Sequence, residues 1–365
     1  MPIAPHLVVS ISGHGFGHVA QTAPVLNALH ALRPDIRYTV RSAVPESHLR
    51  SRIHAPFTHL QSEGDIGMVM SSALHVRAAD SRAAYRAFHA DWQQRVTEEA
   101  DLLRALGADC VFSNVGYLPL AGAQRAGIAN AAMCSLNWAD IYRHYCGDST
   151  SGAEATDLQI IRQIQSYYAQ ADAFLRTTPG MAMDDLPNRV TVAPIADLGT
   201  NRRDALNRQL QLSGQEQLVL ISMGGIASRL PIEDWPRMAG VRYLVQASWQ
   251  ADHPDAIVFD ALPFSFSDLL ASCDVLLCKP GYGSFVEASS CGVPLLYVGR
   301  PDWPESPALT DWLKQHGISR EITPEAIAHG DFAAELQQLC SANRPAPAIP
   351  DGARQAAAWL ANRIG

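Results

Sequence analysis

Between Cys278 and Glu287 the sequence combines residue types that suit a phosphate-bearing ligand. The apolar run that ends at Cys278 is typical of a strand buried on both faces. Gly281 and Gly283 are expected to free the backbone to turn, and Ser284 occupies the position of a helix N-cap. A strand end, a turn and a helix start offer unpaired N–H groups to an anion, and Lys279 adds a positive charge. The stretch predicts a nucleotide site, although glycine-containing loops of this kind are abundant in α/β proteins.

Glu287 is expected in the first turn of the helix that follows this loop. Its carboxylate could accept hydrogen bonds from the two hydroxyls of a ribose. It could equally do no more than complement the positive end of the helix dipole.

A second glycine-rich turn, Ser12–His18, follows the apolar run Leu7–Ile11. A dinucleotide fingerprint is incomplete there, because a histidine stands in the place of the third glycine, which argues against a dehydrogenase. Histidine has the unperturbed pKa closest to neutrality, so His18 is predicted to take a proton from a sugar hydroxyl, with His14 as a second candidate. Both rings could instead only pack against the turn or cap it.

Apolar runs alternate with helical patterns in both halves of the chain, which predicts two doubly wound Rossmann-like domains of the α/β class that face a central cleft. Polar residues such as Asn114, and the glycine pair Gly224 and Gly225, follow predicted strands, where open sheets bind ligands. We expect an acceptor-side domain over 1–196, a nucleotide-sugar-binding domain over 205–345 and a C-terminal helix over 351–365.

The composition excludes several classes of protein. The chain has 365 residues, 47% of them hydrophobic and 18% charged, as expected of a soluble globular protein. A net charge of −8 without a basic stripe argues against nucleic-acid binding. Seven cysteines without paired spacing favour reduced thiols in a cytoplasmic protein, and no signal peptide or transmembrane segment is evident.

Three blocks of sequence together resemble GT-B nucleotide-sugar glycosyltransferases: the Ser12–His18 turn, the segment Asn137–Tyr142 and the segment Lys279–Ser284. Gly224 and Gly225 fit the same pattern. The similarity is greatest to the peptidoglycan N-acetylglucosaminyltransferases and to the glycosyltransferase-like N-terminal part of arabinokinases. It extends over nearly the whole chain.

The resemblance implies an inverting transfer that needs no metal and no cofactor beyond the nucleoside-diphosphate sugar, such as a UDP-sugar, that serves as donor. It gives the base role to His18 and the ribose to Glu287. Glu305 stands in place of the acid of an Asp-Gln pair that holds donor-sugar hydroxyls, and Ser306 replaces the amide. The expected donor-binding residues are Gly224, Gly225, Lys279, Gly281, Gly283, Ser284, Glu287 and Glu305. The expected acceptor-side residues are Gly15, Gly17, Asn114, Asn137 and Asp140.

The sequence leaves two alternatives open. A nucleotide-sugar hydrolase would use the same fold to activate water, and a catalytically silent protein would bind the sugar nucleotide without turning it over. The acceptor could be a small molecule or a lipid-linked sugar, and neither the base, the sugar nor the acceptor can be read from the sequence.

Overall fold

The computed structural model describes residues 4–62, 64–147, 152–225 and 229–364. The chain forms two compact units. The N-terminal unit comprises Met1–Ile195, Trp303–Glu305 and Asp351–Gly365, and the C-terminal unit comprises Ala196–Asp302 and Ser306–Pro350. Each unit contains one parallel sheet with flanking helices, which confirms the predicted α/β class.

The sheet of the N-terminal unit has seven parallel strands, whose sequences are short and largely buried apolar runs. They are β1 (His6–Ile11), β2 (Arg37–Arg41), β3 (Phe57–Leu60), β4 (Cys110–Asn114), β5 (Ala129–Cys134), β6 (Ala173–Thr177) and β7 (Arg189–Val192). The strand order is β3-β2-β1-β4-β5-β6-β7, so the direction of winding reverses between β1 and β4. Ligands of open α/β sheets bind beyond the carboxyl ends of the strands at such a point.

Seven α-helices flank this sheet in the described parts of residues 17–170. They are α1 (Gly17–Leu32), α2 (Glu46–Arg52), α3 (Ala78–Ala90), α4 (Trp92–Leu106), α5 (Tyr117–Ala126), α6 (Trp138–Cys146) and α7 (Ala155–Gln170). Helices α3 to α7 contribute a cluster of buried aromatic side chains to the core: Tyr85, Trp92, Tyr117, Trp138, Tyr142 and Tyr168. Burial of such large apolar areas is a main source of stability, and it holds α6 and the loop before it in place.

The sheet of the C-terminal unit has six parallel strands: β8 (Gln217–Ser222), β9 (Val241–Val245), β10 (Ala256–Val258), β11 (Val275–Cys278), β12 (Leu295–Val298) and β13 (Ser319–Ile322). Their order in the sheet is β10-β9-β8-β11-β12-β13. The winding reverses between β8 and β11, where Ser222 pairs with Cys278. The loops that follow these two strands are therefore neighbours.

The helices of the C-terminal unit are α8 (Arg203–Leu210), α9 (Phe266–Ser272), α10 (Tyr282–Ser290), α11 (Ser306–His316), α12 (Pro324–His329) and α13 (Ala333–Cys340). The last helix, α14 (Gly352–Ala361), packs on α1 and belongs to the N-terminal unit. Its buried residues are Gly352, Ala356, Ala357 and Leu360. The segment 351–365, where a C-terminal helix was expected, contains α14 and is grouped with the N-terminal unit.

The predicted start of α10 was wrong. The helix begins at Tyr282, with Gly281 as its N-cap, so Ser284 lies inside the first turn and Glu287 lies beyond it. Gly281 has an extended backbone and Gly283 is helical, so neither glycine is used for a left-handed turn. The helix starts without a side-chain cap, because its N-cap is a glycine, and its first residue, Tyr282, is buried.

Candidate functional site

His18 lies in the first turn of α1, directly after the glycine-rich loop that leaves β1. Gly15 has a φ of 89°, which L-residues with a side chain rarely adopt, so the loop needs a glycine at this position. The helix starts at Gly17, which brings the His18 ring under the carboxyl end of the sheet, where it is only 6% exposed. A buried ring at a ligand-binding edge of a sheet is a candidate for proton transfer.

Asn114 orients the ring of His18. It is the last residue of β4 and pairs with Ile11 at the end of β1, so its side chain lies beside the start of α1. His18 Nδ1 lies 2.9 Å from Asn114 Oδ1. The amide nitrogen of Asn114 is 3.4 Å from the His18 carbonyl and 3.3 Å from Gln21 Oε1, and both are acceptors. The amide oxygen therefore faces the ring, and Nδ1–H donates to it.

Burial lowers the pKa of His18 to about 4, and the hydrogen bond that the ring donates to Asn114 opposes this shift only in part. The imidazole is therefore neutral at pH 7. With the proton on Nδ1, the lone pair lies on Nε2, for which the described residues offer no hydrogen-bond donor. Such a nitrogen can accept a proton from a hydroxyl group brought to it.

His14 is held by several groups at once. Its Nε2 lies 3.1 Å from the Met68 carbonyl, so this nitrogen carries the proton. The ring stacks on Trp303 at 6.1 Å and meets the edge of Trp138 at 5.2 Å. A Cβ at Gly67 would lie 2.5 Å from the His14 ring. These contacts explain His14 as a packed side chain that lines the site. Its catalytic role stays a prediction.

Asn137 and Asp140 bond to each other. Asn137 is the N-cap of α6 and accepts from the Asp140 backbone N–H at 2.9 Å. Its amide nitrogen donates to the Asp140 carboxylate at 2.6 Å, and Arg143 forms an ion pair with the same carboxylate. These bonds explain both residues as a helix cap. Their predicted contact with an acceptor is a separate hypothesis.

Glu305 counts with the N-terminal unit, although the residues on both sides of Trp303–Glu305 belong to the other unit. Its carboxylate is 5% exposed and accepts from Ser135 Oγ at 2.5 Å and from Trp303 Nε1 at 3.1 Å. Ser135 in turn accepts from Gln21 Nε2 at 2.8 Å. The structure thus brings Glu305 into hydrogen-bonded connection with the surroundings of His18.

The predicted phosphate-binding residues of the C-terminal unit lie on its two neighbouring loops. Gly224 follows β8 with a φ of 81°, and a Cβ there would lie 3.8 Å from Lys279 Nζ. A Cβ at Gly281 would lie 3.9 Å from the same ammonium nitrogen. Gly225 continues the first loop, and the second leads into α10, whose first turn has no acidic residue and no side-chain cap. A positive charge beside an uncapped helix start suits a diphosphate.

Gly283 and Ser284 lie in the first turn of α10, and Ser284 is half-buried. Glu287, one turn further along the same helix, is 3% exposed. The predicted contact between Glu287 and a ribose stays a hypothesis.

Within the described part of the chain, no three His, Cys, Asp or Glu side chains converge on a point that could hold a metal ion. Among the same residues, no helix is both long enough and apolar enough to span a bilayer.

The chain matches a longer protein in sequence. It is 25% identical over 341 residues to the L-arabinokinase of Arabidopsis thaliana, an alignment that covers 92% of this chain and 32% of that protein. The chain therefore spans about a third of the length of the curated relative. No protein-family model matches the sequence.

Solved structures establish the fold. The glycosyltransferase of kitacinnamycin superposes with a TM-score of 0.62 and 15% identity, covering 100% of this chain and 95% of that one. The glycosyltransferase VinC in complex with dTDP has a TM-score of 0.57 and 12% identity, covering 98% and 95%. Two parallel sheets of seven and six strands together with these neighbours identify the GT-B fold, as the sequence predicted.

Several residues of the site were not predicted from the sequence. Ser135, Cys134, Trp138 and Trp303 lie in contact with His18, His14 or Glu305, and Gln21 bonds to Ser135 and Asn114. Gln21 stands three residues after His18, so the helical spacing could have placed it on the same face of α1. Trp303 bonds to Glu305 two residues away, but its stacking on His14 and the contacts of Ser135, Cys134 and Trp138 join residues distant in sequence and cannot be read from local sequence.

Proposed function

We propose that the protein transfers a sugar with inversion, and without a metal ion, from a nucleoside-diphosphate sugar to an acceptor hydroxyl. The observation that carries the proposal is the state of His18: neutral, oriented by Asn114 through Nδ1, and with Nε2 free to accept a proton. A general base of this kind typically accelerates a reaction by about two to four orders of magnitude.

The C-terminal unit supplies the features needed to bind the donor. Lys279 and the start of α10 would stabilise the charge that develops on the departing diphosphate, and the Gly224 loop allows a phosphate to approach the backbone. Glu287 would accept hydrogen bonds from the ribose. The dTDP complex of VinC, which has the same fold, supports a nucleoside diphosphate as the ligand.

A thermal-shift screen with UDP, GDP, dTDP, CMP and ADP tests the donor site. We expect one nucleotide to raise the melting temperature, and Glu287→Ala to weaken its binding by about 1–3 kcal/mol, because a charged acceptor is lost. Inorganic pyrophosphate should bind equally to both forms, since it has no ribose. An equal loss of pyrophosphate binding would contradict the ribose role.

Turnover of the matching nucleotide sugar distinguishes transfer from the alternatives. A transferase consumes the donor only when an acceptor is added, a hydrolase releases sugar without one, and a binding protein does neither. We expect acceptor-dependent turnover that falls by about two to four orders of magnitude in His18→Ala while donor affinity is retained. Unchanged turnover in that variant would show that His18 is not the general base.

A further inference from the structure

A continuous row of buried polar side chains joins Glu305 to His18 within the N-terminal unit. Ser135 Oγ donates to Glu305 Oε1 at 2.5 Å, and Gln21 Nε2 donates to Ser135 Oγ at 2.8 Å. Asn114 Nδ2 donates to Gln21 Oε1 at 3.3 Å, and His18 Nδ1 lies 2.9 Å from Asn114 Oδ1. Four hydrogen bonds therefore separate the carboxylate from the imidazole.

The Glu305 carboxylate fixes which side chain donates and which accepts at each hydrogen bond of this row. Both oxygens of Glu305 accept, one from Ser135 and one from Trp303 Nε1. The hydroxyl hydrogen of Ser135 is thus committed to Glu305, and its oxygen can only accept from the Gln21 amide nitrogen. That orientation leaves the Gln21 amide oxygen for Asn114.

The same direction continues to the imidazole. Once Asn114 donates to Gln21, its oxygen faces the ring and takes the hydrogen of His18 Nδ1. A reversed row would turn the Asn114 amide nitrogen toward Nδ1, move the hydrogen to Nε2 and block the nitrogen that must accept a proton. The His18 carbonyl, which accepts from Asn114 Nδ2 at 3.4 Å, opposes the same reversal.

We propose that Glu305 is a positioning residue that acts through Ser135, Gln21 and Asn114 to hold His18 in the Nδ1–H form. This inference rests on the proposed role of His18 as the base. It differs from a direct contact between Glu305 and the donor sugar, because the carboxylate acts on the acceptor-activating ring and has both oxygens engaged by protein donors.

Nitrogen-15 NMR of histidine-labelled protein at pH 7 tests the inference without any substrate. The resonances of His18 are assigned by their loss in His18→Asn. We expect the native protein to carry the hydrogen on Nδ1. Glu305→Gln should populate the Nε2–H form, because an amide has one acceptor oxygen and cannot serve both Ser135 and Trp303. Ser135→Ala interrupts the row without changing Glu305 and should have the same effect.

Glu321→Gln is the matched control. This carboxylate accepts from Tyr297 at 3.1 Å in the C-terminal unit, so its replacement removes an equal charge without touching the row. We expect the His18 resonances of this variant to equal those of the native protein. A native Nε2–H form, or an unchanged form in folded Glu305→Gln and Ser135→Ala, would overturn the inference.

Kinetics separates positioning from donor contact. Glu305→Gln should lower kcat about 10-fold to 100-fold, by analogy with residues that orient metal-binding histidines, with little change in the donor KM. A raised donor KM with an unchanged His18 form would assign Glu305 to the donor instead. If no nucleotide sugar is turned over, the proposed function fails, while the NMR result still decides whether Glu305 orients His18.

Discussion

The Nδ1 atom of His18 lies 2.9 Å from the Oδ1 atom of Asn114, so a neutral amide rather than a carboxylate orients the candidate base. An amide fixes the position of the hydrogen without adding negative charge. Burial therefore acts on the ring almost unopposed, and the pKa of His18 falls to about 4. The neutral ring is available over a wide range of pH, but the imidazolium that forms when it accepts a proton receives no ion pair from this neighbour.

Asn114→Asp should raise the pKa of His18, because a carboxylate beside Nδ1 stabilises the imidazolium. We expect the acid limb of the kcat/KM profile to move up by about 1 to 3 pH units. Asn130→Asp is the control. Asn130 is also buried in this sheet, but it lies near the start of β5, whereas Asn114 lies at the end of β4. An unmoved acid limb in Asn114→Asp, with the protein folded, would show that His18 does not set that limb.

His18→Asn should reduce the dependence of stability on pH. The pKa of His18 is lowered from 6.5 to about 4, so the folded state binds fewer protons than the unfolded state between these values. Its contribution to stability is present above pH 6.5 and is lost as the pH falls through 4. Removing it should reduce the loss in free energy of unfolding over this interval by up to about 3 kcal/mol.

Denaturant titrations at pH 7 and pH 4.5 measure that difference. The slope will not vanish, because burial also lowers the pKa of His48 and of His89 to about 4. His75→Asn, the same replacement at an exposed position, serves as the control for the substitution itself. The same slope in His18→Asn and in the native protein would contradict a buried neutral His18.

The local parts of this site could be predicted from the sequence, and its connections could not. The alternation of apolar runs and helical patterns predicted two parallel sheets, and the loops after β1 and β11 were recognised from their glycines and charges. The bond between His18 and Asn114 depends on β1 and β4 being neighbours, and that between Ser135 and Glu305 joins residues 170 positions apart. Only the folded sheet brings such residues together.

One prediction from the local sequence, the N-cap of α10, was wrong, and one local pattern, the cap of α6, was not used. Ser284 looked like an N-cap, but the N-cap of α10 is Gly281, three residues earlier, and it forms no side-chain cap. Asn137 and Asp140, at a spacing of three, form a capping pattern that was available from the sequence. They were instead predicted as acceptor contacts because of the resemblance alone.

Gly224→Ala should weaken binding of the nucleoside diphosphate, and the backbone strain that it introduces should not by itself account for the loss. The φ of 81° strains any side chain, which costs about 1 kcal/mol, and the new Cβ would lie 3.4 Å from Lys279 Cε. Gly240→Ala is a matched control, because Gly240 has a φ of 75° in the same unit and open space around its Cβ position. Calorimetric titration of both variants with the nucleotide should reveal weaker binding only in Gly224→Ala. Equal binding of the nucleotide by both variants would show that the Gly224 loop does not contact the phosphate.

Asn137→Ala separates the two roles suggested for this residue. As the N-cap of α6 it should destabilise the protein by about 1 kcal/mol when removed, since one backbone N–H loses its acceptor. Thr323→Ala removes a cap of the same kind from α12, where Thr323 Oγ1 accepts from Ala326 at 3.1 Å. If Asn137 only caps its helix, both variants lose stability and keep the native KM for the acceptor. A raised acceptor KM in Asn137→Ala alone would establish the predicted contact, and unchanged stability in that variant would exclude the cap as its main role.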